Sequence, residues 1–145
     1  MNDDIDTRYL ETLLGYNTRR ASLTIISRFM ERMAVFELRP VDFSVLSLIG
    51  HNPGITSRQL CSVLNILPPN LVGFLKAFEK RQLIERKPHP TDGRAVGLFL
   101  TESGSALMRE AEATAEVSDL STATNLTATE RKTLTRLLQK IYLPN

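Results

Sequence analysis

The sequence predicts a mainly α-helical protein with a small β wing, arranged as a winged helix-turn-helix. Three successive patterns predict this fold. Residues 68–81 have helical periodicity, and residues 83–87 and 96–100 have the apolar content and bounds of two short strands. A polar turn at residues 89–94, with an Asp-Gly pair and an arginine, connects the strands. A helix that leads into a two-stranded ribbon with a charged tip is the winged half of this fold.

The helix at residues 68–81 begins with two prolines. Pro68 and Pro69 favour the first turn of a helix, where the missing amide protons have no intrahelical partner. Leu71, Leu75 and Phe78 recur at intervals of four and three residues, so we expect them on one buried face. The remaining faces are then open to a partner molecule.

A shorter helix is predicted just before it. Thr56 and Gln59 have the spacing of a capping box, which starts a helix that runs to about Leu64. Leu60, Val63 and Leu64 are expected to be buried. Two short helices with a tight connection between them form a helix-turn-helix.

The two ends of the chain are predicted to be helical and more apolar than one small core requires. Residues 6–36 are expected to form one long helix, with or without a bend, that carries two apolar stripes. Residues 102–118 and a last helix from the capping box at Thr127 to about Tyr142 follow the wing, with a loop at 118–125 between them. A helix that is apolar on most sides is either central or shared with another chain, and in a chain this small we expect it to be shared with a second chain.

Composition excludes several classes of protein. The 145 residues suit one compact domain, and the apolar and charged fractions of 42% and 23% are those of a globular protein. No apolar run reaches the about 20 residues that span a bilayer, so no membrane partner is expected. The acidic start, residues 1–6, argues against a secretory signal, and the single Cys61 cannot form an internal disulfide; both favour a cytoplasmic location.

No catalytic or metal-binding pattern is present in the sequence. The two histidines, His51 and His89, lie far apart, and Cys61 has no partner at ligand spacing, so neither a metal nor a cofactor is expected. A phosphate-binding glycine loop and a nucleophile elbow are also absent, which argues against an enzyme. For Cys61 itself, a buried structural thiol is favoured over a redox sensor.

Positive charge is concentrated in the winged half. Residues 56–94 contain seven basic and three acidic side chains, a balance of +4 within a chain of net charge +2. The rest of the chain is therefore mildly acidic. A basic segment on an acidic body is typical of phosphate binding, although an ordinary charged surface remains an alternative.

The segment from Asp92 to Thr101, Asp-Gly-Arg-Ala-Val-Gly-Leu-Phe-Leu-Thr, resembles the wing signature of the MarR family of bacterial regulators. Residues 79–84 and 102–104 resemble the family's pattern on either side. The resemblance implies a homodimer with interlocking terminal helices, in which 1–36 and 102–145 are dimerisation helices and 37–101 is the winged helix-turn-helix DNA-binding region. The dimer contacts it implies are Tyr9, Leu10, Leu13, Leu14, Leu134, Leu138, Ile141 and Tyr142. It also implies a transcriptional regulator, most often a repressor, that binds double-stranded DNA at a pseudo-palindromic operator. A small aromatic or phenolic effector is expected, and candidates for its pocket are Tyr16, Arg19, Arg20 and His51. For Arg19 and Arg20, plain solvation is the favoured alternative.

Under this interpretation the helix at 68–81 enters a major groove, where Asn70 can pair with adenine and Val72 can touch a thymine methyl. Arg94 is expected in a minor groove, oriented by a charge-assisted hydrogen bond with Asp92. Arg58, Lys87 and His89 are phosphate candidates. The complete set of predicted DNA-binding residues is Arg58, Pro69, Asn70, Val72, Gly73, Lys76, Ala77, Lys87, His89, Asp92 and Arg94.

Two positions depart from the family pattern. Gly73 and Ala77 stand where many relatives carry arginine or another polar residue. Gly73 can let the backbone approach DNA closely, which shifts specificity to DNA shape and to the wing. The alternative is a winged-helix protein-interaction module that lacks DNA binding.

Overall fold

The computed structural model describes residues 4–145 and has six α-helices and one antiparallel pair of strands. The helices are α1 Leu14–Met33, α2 Pro40–His51, α3 Ser57–Leu64, α4 Pro68–Lys80, α5 Glu102–Thr122 and α6 Ala128–Tyr142, and the strands are β1 Ile84–Pro88 and β2 Val96–Leu100. Short 3-10 turns lie at Leu10–Thr12 and Ala34–Phe36. The prediction of a mainly α fold with a small β wing is confirmed.

The chain forms two compact units, which are described separately. The central unit is Phe29–Ala115, and the predicted winged segment at 37–101 lies within it. The terminal unit consists of the residues up to Arg28 together with Glu116–Asn145.

One hydrophobic core organises the central unit. Its buried members come from five of the six helices, from both strands of the wing and from the connections between them: Met33, Leu38, Val45, Leu46, Ile49, Ile55, Leu60, Leu71, Leu75, Phe78, Leu83, Ile84, Leu98, Met108 and Ala111. The face that sequence spacing predicted on α4 is confirmed, since Leu71, Leu75 and Phe78 are each at most 2% exposed. Burial on this scale is the main favourable term in folding.

The start of α2 has an unusual cap. Arg39 stands at the position before Pro40, and its backbone amide donates to the Asp42 carboxylate at 2.9 Å. The Arg39 guanidinium also pairs with Asp42 and lies over the ring of Phe74, 5.2 Å from its centroid. The side-chain hydrogen bonds from Arg39 to Asp42, and then the negative charge of that carboxylate, raise the pKa of Arg39 above its ordinary value. The carboxylate of the third helical residue thus caps the Arg39 amide, which is the half of a capping box that the third residue supplies.

The terminal unit buries little of its apolar surface within one chain. Ile5, Tyr9, Leu14, Ile141 and Tyr142 are each at least 68% exposed. The predicted capping box at the start of α6 is confirmed, with Thr127 Oγ1 accepting from the Glu130 amide and Glu130 accepting from the Thr127 amide. The hydrogen bond from the Thr127 backbone is the main cause of a lowered pKa at Glu130.

The prediction of one helix over residues 6–36 was wrong at its N-terminal end. Leu13 is extended, with φ −94° and ψ 131°, and separates the turn at Leu10–Thr12 from α1. The side-chain amide of Asn17 donates to the carbonyl oxygens of Glu11 and Leu13, both at 2.8 Å. Asparagine competes in this way for backbone groups, which stabilises the break.

The predicted loop at 118–125 was also partly wrong, because α5 continues to Thr122. The hydroxyl groups of Ser121 and Thr122 donate to the carbonyl oxygen of Ser118, so the polar residues support the last helical turn. On α3, Val63 was expected to be buried but is 64% exposed. Cys61 and Leu64 flank the buried Leu60 instead, which places Val63 off the buried face.

Among residues 4–145, no single helix combines the length and the apolar character that crossing a membrane requires; α3 and α4 pass only as a pair, bent by 117°. Within the same described residues, no group of three or more His, Cys, Asp or Glu side chains is placed to hold a metal ion.

Candidate DNA-binding interface

The connection between α3 and α4 sets the direction of α4. Asn65 ends α3 in the left-handed conformation, with φ 53°, and its amide donates to the Cys61 carbonyl. Asparagine tolerates this conformation better than most residues. The amide of Ile66 donates to the same carbonyl oxygen at 3.1 Å, which closes the turn before α4 begins at Pro68. The helix-turn-helix predicted from Thr56 onward is therefore present.

The outer side of α4 carries the side chains that sequence reasoning placed near DNA. All six predicted positions are exposed: Pro69, Asn70, Val72, Gly73, Lys76 and Ala77. A Cβ built on Gly73 meets nothing within 4 Å, so the backbone there is open to an approaching molecule. The helix therefore offers one amide, one cation and a smooth apolar strip.

The two strands of the wing pair in antiparallel register, from Ile84 opposite Leu100 to Pro88 opposite Val96. Leu98 forms a further bridge to Ile55, in the turn between α2 and α3. The sequence analysis did not predict this bridge. The Gly54 amide donates to the carbonyl oxygen of Leu98 at 2.8 Å. The φ of Gly54 is +92°, which residues with a side chain rarely adopt. The base of the wing is thereby fixed to the helix-turn-helix.

The tip of the wing is closed by side chains that accept backbone hydrogen bonds. The amides of Thr91 and Asp92 donate to the Nδ1 atom of His89, at 3.2 and 3.0 Å. The carboxylate of Asp92 accepts from the backbone amide of Arg94 at 3.1 Å. The predicted charge-assisted hydrogen bond between Asp92 and Arg94 thus exists, but its donor is the backbone rather than the guanidinium. Among the ion pairs formed by residues 4–145, none includes Arg94, whose side chain is exposed.

The other predicted phosphate contacts differ in their surroundings. Arg58 is exposed near the start of α3. Lys87 pairs with Glu85 at 2.9 Å and lies 5.5 Å from the centroid of the Phe99 ring. An exposed pair of this kind is worth at most about 1 kcal/mol, so phosphate can displace it.

A further cation was missed by the sequence analysis. Arg86 pairs with Glu79 at 2.7 Å and lines a cleft of about 290 Å³ together with Arg58, Cys61 and Val72. Its position as the third residue of a strand beside α4 is the signal that could have identified it. Cys61 is half-buried there and packs against the core.

The four predicted effector-pocket residues are divided between the two units. Tyr16, Arg19 and Arg20 lie on α1 in the terminal unit, and Arg19 lines a cleft of about 720 Å³ with Leu14, Gly15, Thr18, Ser22, Leu23, Ile26 and Ile141. His51 is the last residue of α2 in the central unit. Its Nε2 atom lies 3.0 Å from Glu112, which also accepts from the Ser47 hydroxyl at 3.0 Å. His51 thus ends α2 in contact with a carboxylate of α5.

An exposed helix face beside a basic, anchored wing defines the class of winged helix-turn-helix proteins. The MarR family model matches residues 38–96. The structure superimposes on that of the transcriptional repressor CouR bound to a 23-mer DNA duplex with a TM-score of 0.86, at 34% identity over 96% of this chain and 99% of CouR. The chain belongs to the MarR family of winged helix-turn-helix transcriptional regulators.

Two other relatives agree with this assignment. BpsR of Bordetella bronchiseptica, whose DNA binding is regulated by 6-hydroxynicotinic acid, has a TM-score of 0.81 at 25% identity over 92% of this chain and 95% of BpsR. A putative transcriptional regulatory protein for the hcr operon of Thauera aromatica is 27% identical over 89% of this chain and 78% of its own length. The family is one of regulators and not of enzymes, which agrees with the expectation from the sequence.

Proposed function

We propose that this protein is a homodimeric repressor that binds a pseudo-palindromic operator in the cytoplasm and is released from it by a small aromatic effector. The observation that carries the proposal is the exposed face of α4 together with an exposed Arg94 at the tip of an anchored wing. Relatives support it, since CouR is a repressor bound to a DNA duplex.

The proposed contacts follow from the chemistry of each surface. The amide of Asn70 matches the paired donor and acceptor of adenine in a major groove, and Lys76 suits guanine or phosphate. Gly73 and Ala77 allow α4 to lie close to the bases without adding a polar contact. Arg94 suits a narrow A·T-rich minor groove, where negative potential is strongest. DNA shape then contributes much of the specificity.

Dimerisation is proposed from the apolar surface of the terminal unit. Sixteen of the twenty-two large apolar side chains that are exposed in the described chain belong to this unit. They include all eight predicted contacts: Tyr9, Leu10, Leu13, Leu14, Leu134, Leu138, Ile141 and Tyr142. Surface of this kind is normally covered by a partner. A twofold axis would then set two copies of α4 about 10 base pairs apart, one turn of DNA.

The effector is proposed to be an aromatic acid that binds in the cleft along α1. The cleft is mostly apolar and is lined by Arg19, and a guanidinium is the partner that a carboxylate prefers. BpsR supports this class of ligand, because 6-hydroxynicotinic acid is an aromatic acid. Such a ligand acts by binding more tightly to the conformation that does not fit DNA.

The test is a titration of the protein with labelled duplexes that tile the DNA upstream of its own gene. We expect binding that is saturable, has a stoichiometry of two chains per site and weakens steeply as salt is added. Lack of salt-sensitive binding to any duplex at low ionic strength would remove the proposal and favour the protein-interaction module.

A further inference from the structure

We propose that His89 is a positioning residue for the wing, and that it acts as a neutral hydrogen-bond acceptor rather than as a cation. The inference rests on the proposed function for its effect on DNA, because it concerns how Arg94 is presented. It assigns His89 a role different from the phosphate contact predicted from its sequence.

The geometry around His89 is that of a helix cap. Its Nδ1 atom accepts from the amides two and three residues further on, those of Thr91 and Asp92. A capping Asn, Asp or Ser side chain accepts from the same two positions. Pro90 occupies the next position, where a cap is commonly followed by proline because no amide is needed there. His89 therefore orders the tip of the wing as a cap orders the first turn of a helix.

The backbone of His89 also joins the tip to the ribbon. Its amide donates to the carbonyl oxygen of Ala95 at 3.0 Å, and the Ala95 amide donates to that of Asp92 at 3.1 Å. The Asp92 carboxylate then accepts from the Arg94 amide. One chain of hydrogen bonds thus runs from the His89 ring through Asp92 to the backbone of Arg94.

This arrangement requires one form of the imidazole ring. Nδ1 can accept only when it carries no proton, so the single proton of the neutral ring must be on Nε2. The opposite tautomer would donate from Nδ1 to the Thr91 hydroxyl, which lies 3.3 Å away, and would leave the two amides without this acceptor. The proposal therefore predicts a single tautomer of His89, with the proton on Nε2.

The first experiment is nitrogen-15 NMR of the histidine rings in the full-length protein at neutral pH, with the His89 signals assigned by their loss in His89→Asn. We expect an unprotonated Nδ1 and a protonated Nε2 for His89. A protonated Nδ1, a doubly protonated ring or a signal averaged over both tautomers would each overturn the proposal. This measurement needs no DNA, so it decides the role of His89 in the turn even if the proposed function fails.

The second experiment compares two amides that imitate the two ring nitrogens. In His89→Asn, the side-chain oxygen takes the place of Nδ1 and can accept from Thr91 and Asp92. In His89→Gln, the amide nitrogen takes the place of Nε2 and can still donate to a phosphate, but the cap is lost. His89→Ala removes both groups.

We expect His89→Asn to bind the upstream duplex as wild type does, and His89→Gln and His89→Ala to bind about 25-fold more weakly, about fivefold for each of the two caps that a dimer loses. Wild-type affinity for Gln with weakened binding for Asn would identify a phosphate contact and contradict the proposal. Equal affinity of wild type and all three variants would also contradict the role of His89. The proposed function would survive that result, because the wild-type protein would still bind DNA.

Discussion

The backbone of Leu83 lies directly over Gly104, at the first turn of α5. A Cβ on Gly104 would collide with the carbonyl oxygen of Leu83, which already accepts from the Thr101 amide at 2.9 Å. The Thr101 hydroxyl in turn donates to the carbonyl oxygen of Gln82 and accepts from the Gly104 amide at 3.0 Å. The end of the wing and the start of α5 are thus locked to the connection between α4 and β1.

Replacing Gly104 with alanine should therefore destabilise the protein by about 3 kcal/mol, because the backbone cannot yield without breaking these hydrogen bonds. Urea denaturation measures the change. Gly73→Ala is the matched control, since it has open space in the middle of α4 and should stabilise by about 0.5 to 1 kcal/mol. A Gly104→Ala protein as stable as wild type would show that the close contact with Leu83 is absent.

Gly73→Ala also tests how closely α4 approaches DNA. If the backbone at Gly73 lies against the bases, the added methyl group should weaken binding to the upstream duplex while it raises the stability of the free protein. Gly15→Ala is the control, because it adds the same group in open space on α1. Unchanged affinity of Gly73→Ala would mean that the glycine is not needed for a close approach.

Dimer formation is tested by a charge at the end of α6. Ile141 is 68% exposed in the single chain, so Ile141→Glu should cost a monomer little, but it should prevent two copies from burying this surface. Val35→Glu is the control, at a residue of the central unit that is 79% exposed. Sedimentation analysis should find Ile141→Glu monomeric at concentrations where wild type and Val35→Glu are dimeric. A dimeric Ile141→Glu protein would place the interface elsewhere.

The effector proposal predicts different effects for the replacement of two adjacent arginines. Arg19 lines the cleft on α1, whereas Arg20 is not among the residues that line it. With 6-hydroxynicotinic acid as the probe, Arg19→Ala should lose ligand-induced release from DNA, and Arg20→Ala should retain it. An equal response of both variants and wild type would exclude Arg19 as the carboxylate partner, and lack of any response in wild type would exclude this acid.

Local patterns predicted most of the central unit. The spacing of Leu71, Leu75 and Phe78 identified the buried face of α4, because a helix with one apolar stripe can be buried in only one way. Strand β2 and both capping boxes were predicted for the same reason, since they depend only on neighbours in sequence.

Features that depend on competition or on distant contacts were not predicted. At the break, the Asn17 side chain donates to the Glu11 carbonyl oxygen, which a continuous helix would pair with the amide four residues further on, and residue type alone does not show which donor wins. The acceptor role of His89 depends on how the turn folds back on the ring. The bridge between Ile55 and Leu98 joins residues far apart in sequence.

The central claim is that Arg94 at the wing tip binds DNA, and the salt dependence of binding tests it most directly. Affinity for the upstream duplex should be measured over a series of salt concentrations for wild type, Arg94→Ala and Arg109→Ala, which removes the same charge from an exposed position on α5. We expect Arg94→Ala to bind more weakly and to lose roughly 2 from the slope of log affinity against log salt, about 1 for each of the two wings of the dimer, with Arg109→Ala close to wild type. Identical slopes and affinities for all three proteins would contradict the account.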